Sequence, residues 1–362
     1  MADIGKESGE AQRTLIIGAS LIGSQVARTL VDVGQSPVLF DKSFQESAID
    51  DIVDLAKVKL ETGDVLNLSK LGSVIKKHKI SSIVHLAANP MLTKGAQEDP
   101  YNAIELNVMG TVNVLESARQ LSLNRVIVAS SSAVFESLDG GGDEGGRSQE
   151  EYFPRPMTFY GATKQAAENI GLNYAKHFGI EYVGLRFASV AGPWRGRGGG
   201  APSVMFREIV TRAMSEDSVV VQPRHLDWLY VKDAAAVVAA ALQNVIPHSR
   251  VFNVAMGKVY GPQELCQEIL KVFPDAHVTI EPEESGSINK PTPMDITRLS
   301  EELGFTPRYN MQMALQDCAE FYSNCSAKDG ALLLQAVFAM LSSQEVNRLR
   351  NRVNSALEKS EH

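Results

Sequence analysis

The segment that most restricts the fold lies near the start of the chain. An apolar burst at residues 15–18 runs straight into Gly18-Ala19-Ser20-Leu21-Ile22-Gly23, and a helical pattern follows over residues 22–33. A glycine-spaced turn of this kind lets backbone approach a ligand at the helix N-terminus, where free amides and the helix dipole favour a phosphate. The middle position of the G-x-G-x-x-G spacing is Ser20, small enough to fit although its Cβ tightens the approach. Alone, the spacing also suits a plain strand–turn–helix. A second burst, 37–40, ends at Asp41, about 20 residues past the glycines. A carboxylate there can bind both hydroxyls of an adenine ribose and repels a 2′-phosphate. The pattern therefore favours NAD over NADP, with Lys42 next door as an opposing cation. The alternative for Asp41 is a solvated acid at a strand end.

Apolar bursts at 57–60, 82–86, 125–129 and 182–186 continue the series, alternating with helical stretches at 68–77, 101–120 and 159–178. Such alternation predicts an α/β fold, a doubly wound parallel Rossmann sheet covered on both faces, with ligands at the carboxyl ends of the strands. Beyond residue 190 the pattern is mixed: helix 203–214, strands 219–221 and 228–231, helix 232–244. This predicts a smaller C-terminal substrate-binding lobe. The expected division is a disordered tail at 1–12 and an NAD-binding Rossmann domain at 13–190 to which 227–256 returns. The lobe then comprises 191–226 and 257–326, and 327–362 forms a C-terminal helical extension of two helices. The second helix opens with the capping box Ser342-Ser343-Gln344-Glu345. Its narrow stripe of Val346, Leu349, Val353 and Leu357 suits packing on its own domain or an oligomer contact. The Gly- and acid-rich segment 137–156 reads as a lid or a plain surface insertion.

Composition narrows the partners. The chain has 362 residues, 22% of them charged, with net charge −8. An acidic surface repels phosphate backbones, so no nucleic-acid partner is expected. The three cysteines, Cys266, Cys318 and Cys325, lie late and form no metal-type cluster, which suits a reducing compartment. No metal is expected. The start carries no signal-peptide pattern, and the apolar run 331–341 is too short to span a bilayer. The expectation is a soluble cytoplasmic protein with a small-molecule substrate and no membrane partner.

The chemistry-bearing pattern is Tyr160-Gly161-Ala162-Thr163-Lys164 at the start of a helix. Residues i and i+4 share a helix face. A phenol with pKa near 10 is a poor base at neutral pH. A neighbouring ammonium, together with an oxidised nicotinamide, stabilises the phenolate, so the tyrosine can take a hydroxyl proton while hydride leaves the same carbon. An exposed Tyr–Lys helix pair is the bland alternative. The strand at 125–129 ends in Ser130-Ser131-Ser132-Ala133-Val134-Phe135, which puts serines where ligands bind.

Together these pieces resemble the extended short-chain dehydrogenase/reductases, the NAD-dependent epimerase/dehydratase family. The resemblance covers roughly residues 14–322. It rests on GASLIG at 18–23, Asp41, Gly63-Asp64-Val65, Val84-His85-Leu86-Ala87-Ala88 and Asn107-Val108-Met109-Gly110-Thr111. It continues with SSSAVF at 130–135, YGATK at 160–164, Leu185-Arg186-Phe187 through Gly192-Pro193, and Tyr230-Val231-Lys232-Asp233. The resemblance implies that Tyr160 is the catalytic acid/base, Lys164 its partner and a nicotinamide-ribose ligand, and Ser131 the active serine. It implies a cofactor site of Gly18, Ser20, Leu21, Ile22, Gly23, Asp41, Asp64, Val65, Leu86, Ala87, Ala88 and Asn107, joined by Tyr160 and Lys164. It also implies a homodimer through the helices beginning near Tyr101 and Phe159. His85 reads as a packed strand-end residue.

The departures bear on the substrate. Phe135 stands where the family usually has Tyr. Ser132 and Ala133 occupy the positions where its dehydratases carry Asp-Glu, so dehydration is disfavoured. Ser189 replaces an Asn and Leu226 an Arg that usually serve nucleotide sugars, and no clear Arg-x-x-Asp occurs in 281–294. Losing charge-assisted contacts to phosphate argues against a nucleotide diphosphate sugar. Basic residues near the lobe are Arg195, Arg197, Arg207, Arg212 and Arg224-His225. Arg195-Gly196-Arg197 suits either a carboxylate or phosphate clamp or a solvated loop. Ser132, Ser189, Arg195 and Arg197 are the candidate substrate contacts. The expected function is that of an NAD-dependent dehydrogenase or epimerase, which the sequence does not separate, oxidising a secondary alcohol of a small carbohydrate-like or hydroxy-acid substrate. A nucleotide-sugar 4-epimerase and a non-catalytic NAD-binding regulator are the alternatives.

Overall fold

The computed structural model describes residues 13–340 apart from 89–91, 136–145, 153, 216, 244–246 and 283–291. The expected tail at 1–12, the capping box at 342–345 with the stripe after it, and half of the supposed lid lie outside these residues. Twelve strands occur among them: β1 (Arg13–Ile17), β2 (Val38–Asp41), β3 (Lys59–Thr62), β4 (Ile80–His85), β5 (Arg125–Ser131), β6 (Glu181–Phe187), β7 (Ser189–Ala191), β8 (Val219–Val221), β9 (Leu226–Tyr230), β10 (Val251–Val254), β11 (Val259–Tyr260) and β12 (Val278–Ile280).

Seven strands form one sheet in the order β10-β6-β5-β4-β1-β2-β3, every pair parallel. The period-two alternation of the strands sends Ile16, Leu39, Val84 and Ile127 into one core, under the helices Leu21–Asp32 and Val231–Gln243. Their neighbours Leu15, Ile17, Val38, Phe40, Val126 and Val128 enter a second core, under Leu68–His78, Gly110–Gln120 and Phe159–Phe178. Burial on both faces is why these strands read as continuous apolar runs. Strand order reverses between β1 and β4, and a crevice opens at their carboxyl ends.

A third core gathers Phe206, Ile209, Trp228, Tyr230, Leu265 and Leu315 around the small sheet β11-β9-β7 and the pair β12-β8. β9 therefore belongs to the small sheet. From the stretch expected to return to the main domain, it is the helix Val231–Gln243 and β10 that reach the main sheet.

Two further expectations are corrected. The helix expected over 101–120 is interrupted by a π-helical turn at Glu105–Met109, between Pro100–Ile104 and Gly110–Gln120. The extension expected to begin at 327 is part of one helix, Met311–Met340, which passes through Gly330. A single helical glycine costs only about 1 kcal/mol relative to alanine and does not end a packed helix. The described half of the supposed lid is strapped down. Arg147 donates to the Gly257 carbonyl at 2.8 Å, Asn253 Nδ2 donates to the Ser148 carbonyl at 2.8 Å, and Glu150 accepts from the Asn253 amide at 2.9 Å. No helix among the described residues is long and apolar enough to cross a membrane.

Candidate active site

A cleft of about 1150 Å³ opens at the strand carboxyl ends. One end is built by the turn after β1. Gly18 has φ +105°, and a Cβ there would stand 2.8 Å from the Ala87 amide nitrogen, so only glycine lets the turn lie against β4's end. Ser20 starts the helix Leu21–Asp32 without spending its hydroxyl on a cap, and the first helical turn holds no acid. The helix therefore presents unneutralised amides to the cleft, as a pyrophosphate requires. Asp41, at the end of β2, accepts from the Ala19 amide at 2.8 Å. That bond fixes the carboxylate at the rim. Lys42 pairs with Asp64 at 2.9 Å, so the cation that opposed the NAD preference is neutralised.

The other end is built by β5 and the helix Phe159–Phe178. Thr158 caps that helix by accepting from the Gly161 amide at 3.1 Å. Tyr160, Lys164 and Glu168 then fall four residues apart on one face, aimed at the end of β5. Lys164 is buried and donates to the Ala129 carbonyl at 2.9 Å, with its Nζ 5.7 Å from the Tyr160 ring centre. Burial pulls the ammonium down to about 8. Ser131 accepts from the Ala133 amide at 3.1 Å, which braces the hydroxyl while leaving its proton to donate. Ser130 donates to Glu168 at 3.0 Å, and Arg186 grips the same carboxylate at 3.0 and 2.5 Å. This ion pair is 4% and 5% exposed and pins helix to strand.

His85 is packed at the end of β4, as expected. Burial, with the positive charge of Lys164, pulls its imidazole down to about 3, so it is neutral. Among the described residues its Nδ1 has no partner.

The cleft is lined by Gly18, Ser20, Leu21, Ile22, Asp41, Asp64, Val65, Leu86, Ala87 and Ala88, and by Ser131, Ser132, Tyr160, Lys164, Ser189 and Arg197. Three expected residues stand elsewhere. Gly23 lies behind the turn, where a Cβ would come within 1.8 Å of the Gly18 carbonyl oxygen. Asn107 is buried, and its side chain donates to Thr163 at 2.9 Å, so it holds the helix Phe159–Phe178 from behind. Arg195 is not among the residues lining the cleft and pairs with Asp51 at 3.3 Å and Asp329 at 2.6 Å. Sequence reasoning missed Gln45 and Lys94 as cleft residues, and noted Arg224 only as one basic residue among several. Arg224 lines the wall two residues before Leu226, and alternate positions of an extended chain share a face. That relation was the available signal. No cluster of potential metal ligands occurs among the described residues.

Comparison with known proteins agrees with this geometry. The family model described as the NAD dependent epimerase/dehydratase family matches residues 14–255. UDP-glucuronate 4-epimerase 2 of Arabidopsis thaliana is 30% identical over 189 residues, which cover 50% of this chain and 42% of that protein. The UDP-glucose 4-epimerase of Thermus thermophilus, solved in complex with NAD, superposes with a TM-score of 0.72 at 24% identity, over 86% of this chain and 99% of that one. The UDP-glucose 4-epimerase of Thermotoga maritima, solved with UDP-glucose, gives 0.74 at 20% identity over 87% and 99%. At such identities the superpositions establish the fold. The family match spans well over half of the sequence, and the chain belongs to the NAD dependent epimerase/dehydratase family.

Proposed function

We propose that this chain is an NAD-dependent epimerase that oxidises a secondary alcohol of an anionic, carbohydrate-like substrate and reduces the ketone again. The observation that carries the reading is the convergence of Tyr160, Lys164 and Ser131 on the cleft that also contains the glycine turn and Asp41. NAD fits these residues: Asp41 would hold the adenine ribose, the amides opening Leu21–Asp32 the pyrophosphate, and Lys164 the nicotinamide ribose. When bound, the nicotinamide supplies the acceptor for the hydrogen and electron pair leaving the alcohol carbon. Tyr160 takes the hydroxyl proton, and Lys164 stabilises the phenolate that does so. Ser131 donates to the reacting oxygen. In the return direction the same tyrosine gives the proton back.

The substrate's charge follows from the free cations. Arg197 and Arg224 line the cleft and have no carboxylate partner among the described residues. They supply positive charge in place of the arginine absent at Leu226, which moves a nucleotide diphosphate sugar from an alternative to the favoured substrate class. The named relatives, which include UDP-glucose and UDP-glucuronate 4-epimerases, support that class. A homodimer is part of the reading. Tyr101, Ile104, Met109, Met157, Phe159 and Phe178 are large, apolar and exposed on or beside the two helices expected to form the interface.

The test is turnover of UDP-glucose, UDP-glucuronic acid and a simple sugar phosphate, with product analysis and NADH absorbance followed together. The expected result is an epimer without accumulating NADH, lost in Tyr160→Phe. Sustained NADH would assign a dehydrogenase, and an unchanged rate in Tyr160→Phe would refute the role given to the phenol.

A further inference from the structure

The loop at 194–200 joins the two halves of the molecule across the mouth of the cleft. Its inner side is fixed to the lobe. Trp194 is buried and donates from Nε1 to the Arg197 carbonyl at 2.9 Å, while Arg207 donates to the carbonyls of Trp194 and Gly196 at 3.4 and 3.3 Å. Its outer side is fixed to the nucleotide-binding half. Gln45, four residues after Asp41, accepts from the Arg197 amide at 2.7 Å and donates to its carbonyl at 3.4 Å. Arg195 reaches Asp51 at 3.3 Å, and Asp51's side chain is only 7% exposed. The helix Met311–Met340 completes the network: Asp329 takes the other side of Arg195 at 2.6 Å, and Lys328 bonds Asp50 at 3.1 Å.

Between these anchors the chain turns through Gly198, Gly199 and Gly200, with φ of +88°, +91° and +76°. Three successive residues in the left-handed region are open to glycine alone at low cost. The reversal brings the loop onto the glycine turn. A Cβ on Gly198 would lie 3.7 Å from Ser20's Cβ, and one on Gly199 would lie 3.4 Å from a Leu21 methyl. Ser20, Leu21, Gln45, Arg197, Gly198 and Gly199 all line the cleft. A pyrophosphate on the amides of Leu21–Asp32 would therefore sit next to this loop.

We propose that Arg195 is a positioning residue for the dinucleotide. With Gln45 it bolts loop 194–200 over the pyrophosphate site, and Lys328 and Asp329, midway along the helix Met311–Met340, serve as the second jaw of the bolt. The proposal rests on the dinucleotide reading of the cleft. It explains why two arginines two residues apart differ: Arg197 lines the cleft, and Arg195 is tied to carboxylates of both halves. Because Arg195, Lys328 and Asp329 are partly solvated, salt weakens the bolt.

The test is the rate at which the full-length protein, loaded with NADH, loses its fluorescence on mixing with excess NAD. Arg195→Ala is expected to speed release about tenfold, the order of a partly buried ion pair. Gln45→Ala and Asp329→Asn shift it the same way, and Arg195→Lys, which keeps the charge, restores slow release. Added salt should speed release from the wild type and leave Arg195→Ala nearly unaffected, a response that mere loosening of the fold would not produce. Unchanged release in both Arg195→Ala and Gln45→Ala, or release insensitive to salt in the wild type, overturns the proposal alone. Absence of any NADH binding by the wild type overturns the dinucleotide reading and this proposal with it.

Discussion

Replacing Lys164 by methionine should make the protein more stable at neutral pH and inactive. The lysine is buried, and its proton affinity falls from the ordinary 10.5 to about 8 because burial penalises the charged form. At about 1.4 kcal/mol per decade, that fall corresponds to roughly 3 kcal/mol of folding free energy. Methionine fills a similar volume without the charge, but leaves the Ala129 carbonyl without its donor, at a cost of about 1 kcal/mol. The net gain at pH 7 is therefore about 2 kcal/mol, a large share of the usual 5–15 kcal/mol. The sign with pH follows from linkage. Below about 8 the folded protein carries the charged lysine and bears the whole cost. Between about 8 and 10.5 the folded state releases the proton before the unfolded one, so wild-type stability rises with pH. The methionine variant lacks that rise, and its advantage should vanish by pH 10. Urea unfolding of both proteins at pH 7 and pH 10, followed through the buried Trp194 and Trp228, measures it. A variant less stable than wild type at pH 7, or a gap that does not change with pH, would refute the reasoning.

Other consequences can be checked separately. Gly18→Ala forces a left-handed φ on a side chain that also collides with the Ala87 amide, and should cost about 1–3 kcal/mol in a thermal melt while weakening NADH binding in a fluorescence titration. Glu168→Leu strands the buried Arg186 and should cost about 3–5 kcal/mol, most of it recovered in Glu168→Leu/Arg186→Met. A double variant as unstable as the single one would speak against a desolvated pair. If the proposed homodimer forms through this face, Tyr101→Glu/Phe159→Glu should give a monomer in light scattering where the wild type gives a dimer, since both side chains are exposed there.

Much of the main sheet was legible because strands buried on both sides appear as apolar runs separated by amphipathic helices. The third strand was placed two residues early, since Leu55–Lys57 forms a 3-10 turn capped by Asp54 before β3 begins. The strands β7, β10, β11 and β12 were missed because spans of two to four residues carry no readable period, and β8 was legible only as the unbroken run Val219-Val220-Val221. The π-helical turn at Glu105–Met109 left no local trace; it accompanies the contact from Asn107 to Thr163, 56 residues away. At the site, Tyr160, Lys164 and the serines were legible because a fixed spacing on a helix and the end of a strand determine their neighbours. Arg195 and Arg197 were indistinguishable, because what separates them is Asp51 and Asp329, 144 and 134 residues distant in sequence.

The most direct test of the central claim is a crystal structure of the protein with NAD. The account predicts the adenine ribose on Asp41, the pyrophosphate against Leu21 and Ile22, and the nicotinamide facing the Tyr160 hydroxyl beside Ser131. A dinucleotide lodged elsewhere, or a phenol turned from the ring with Lys164 touching neither, would contradict it.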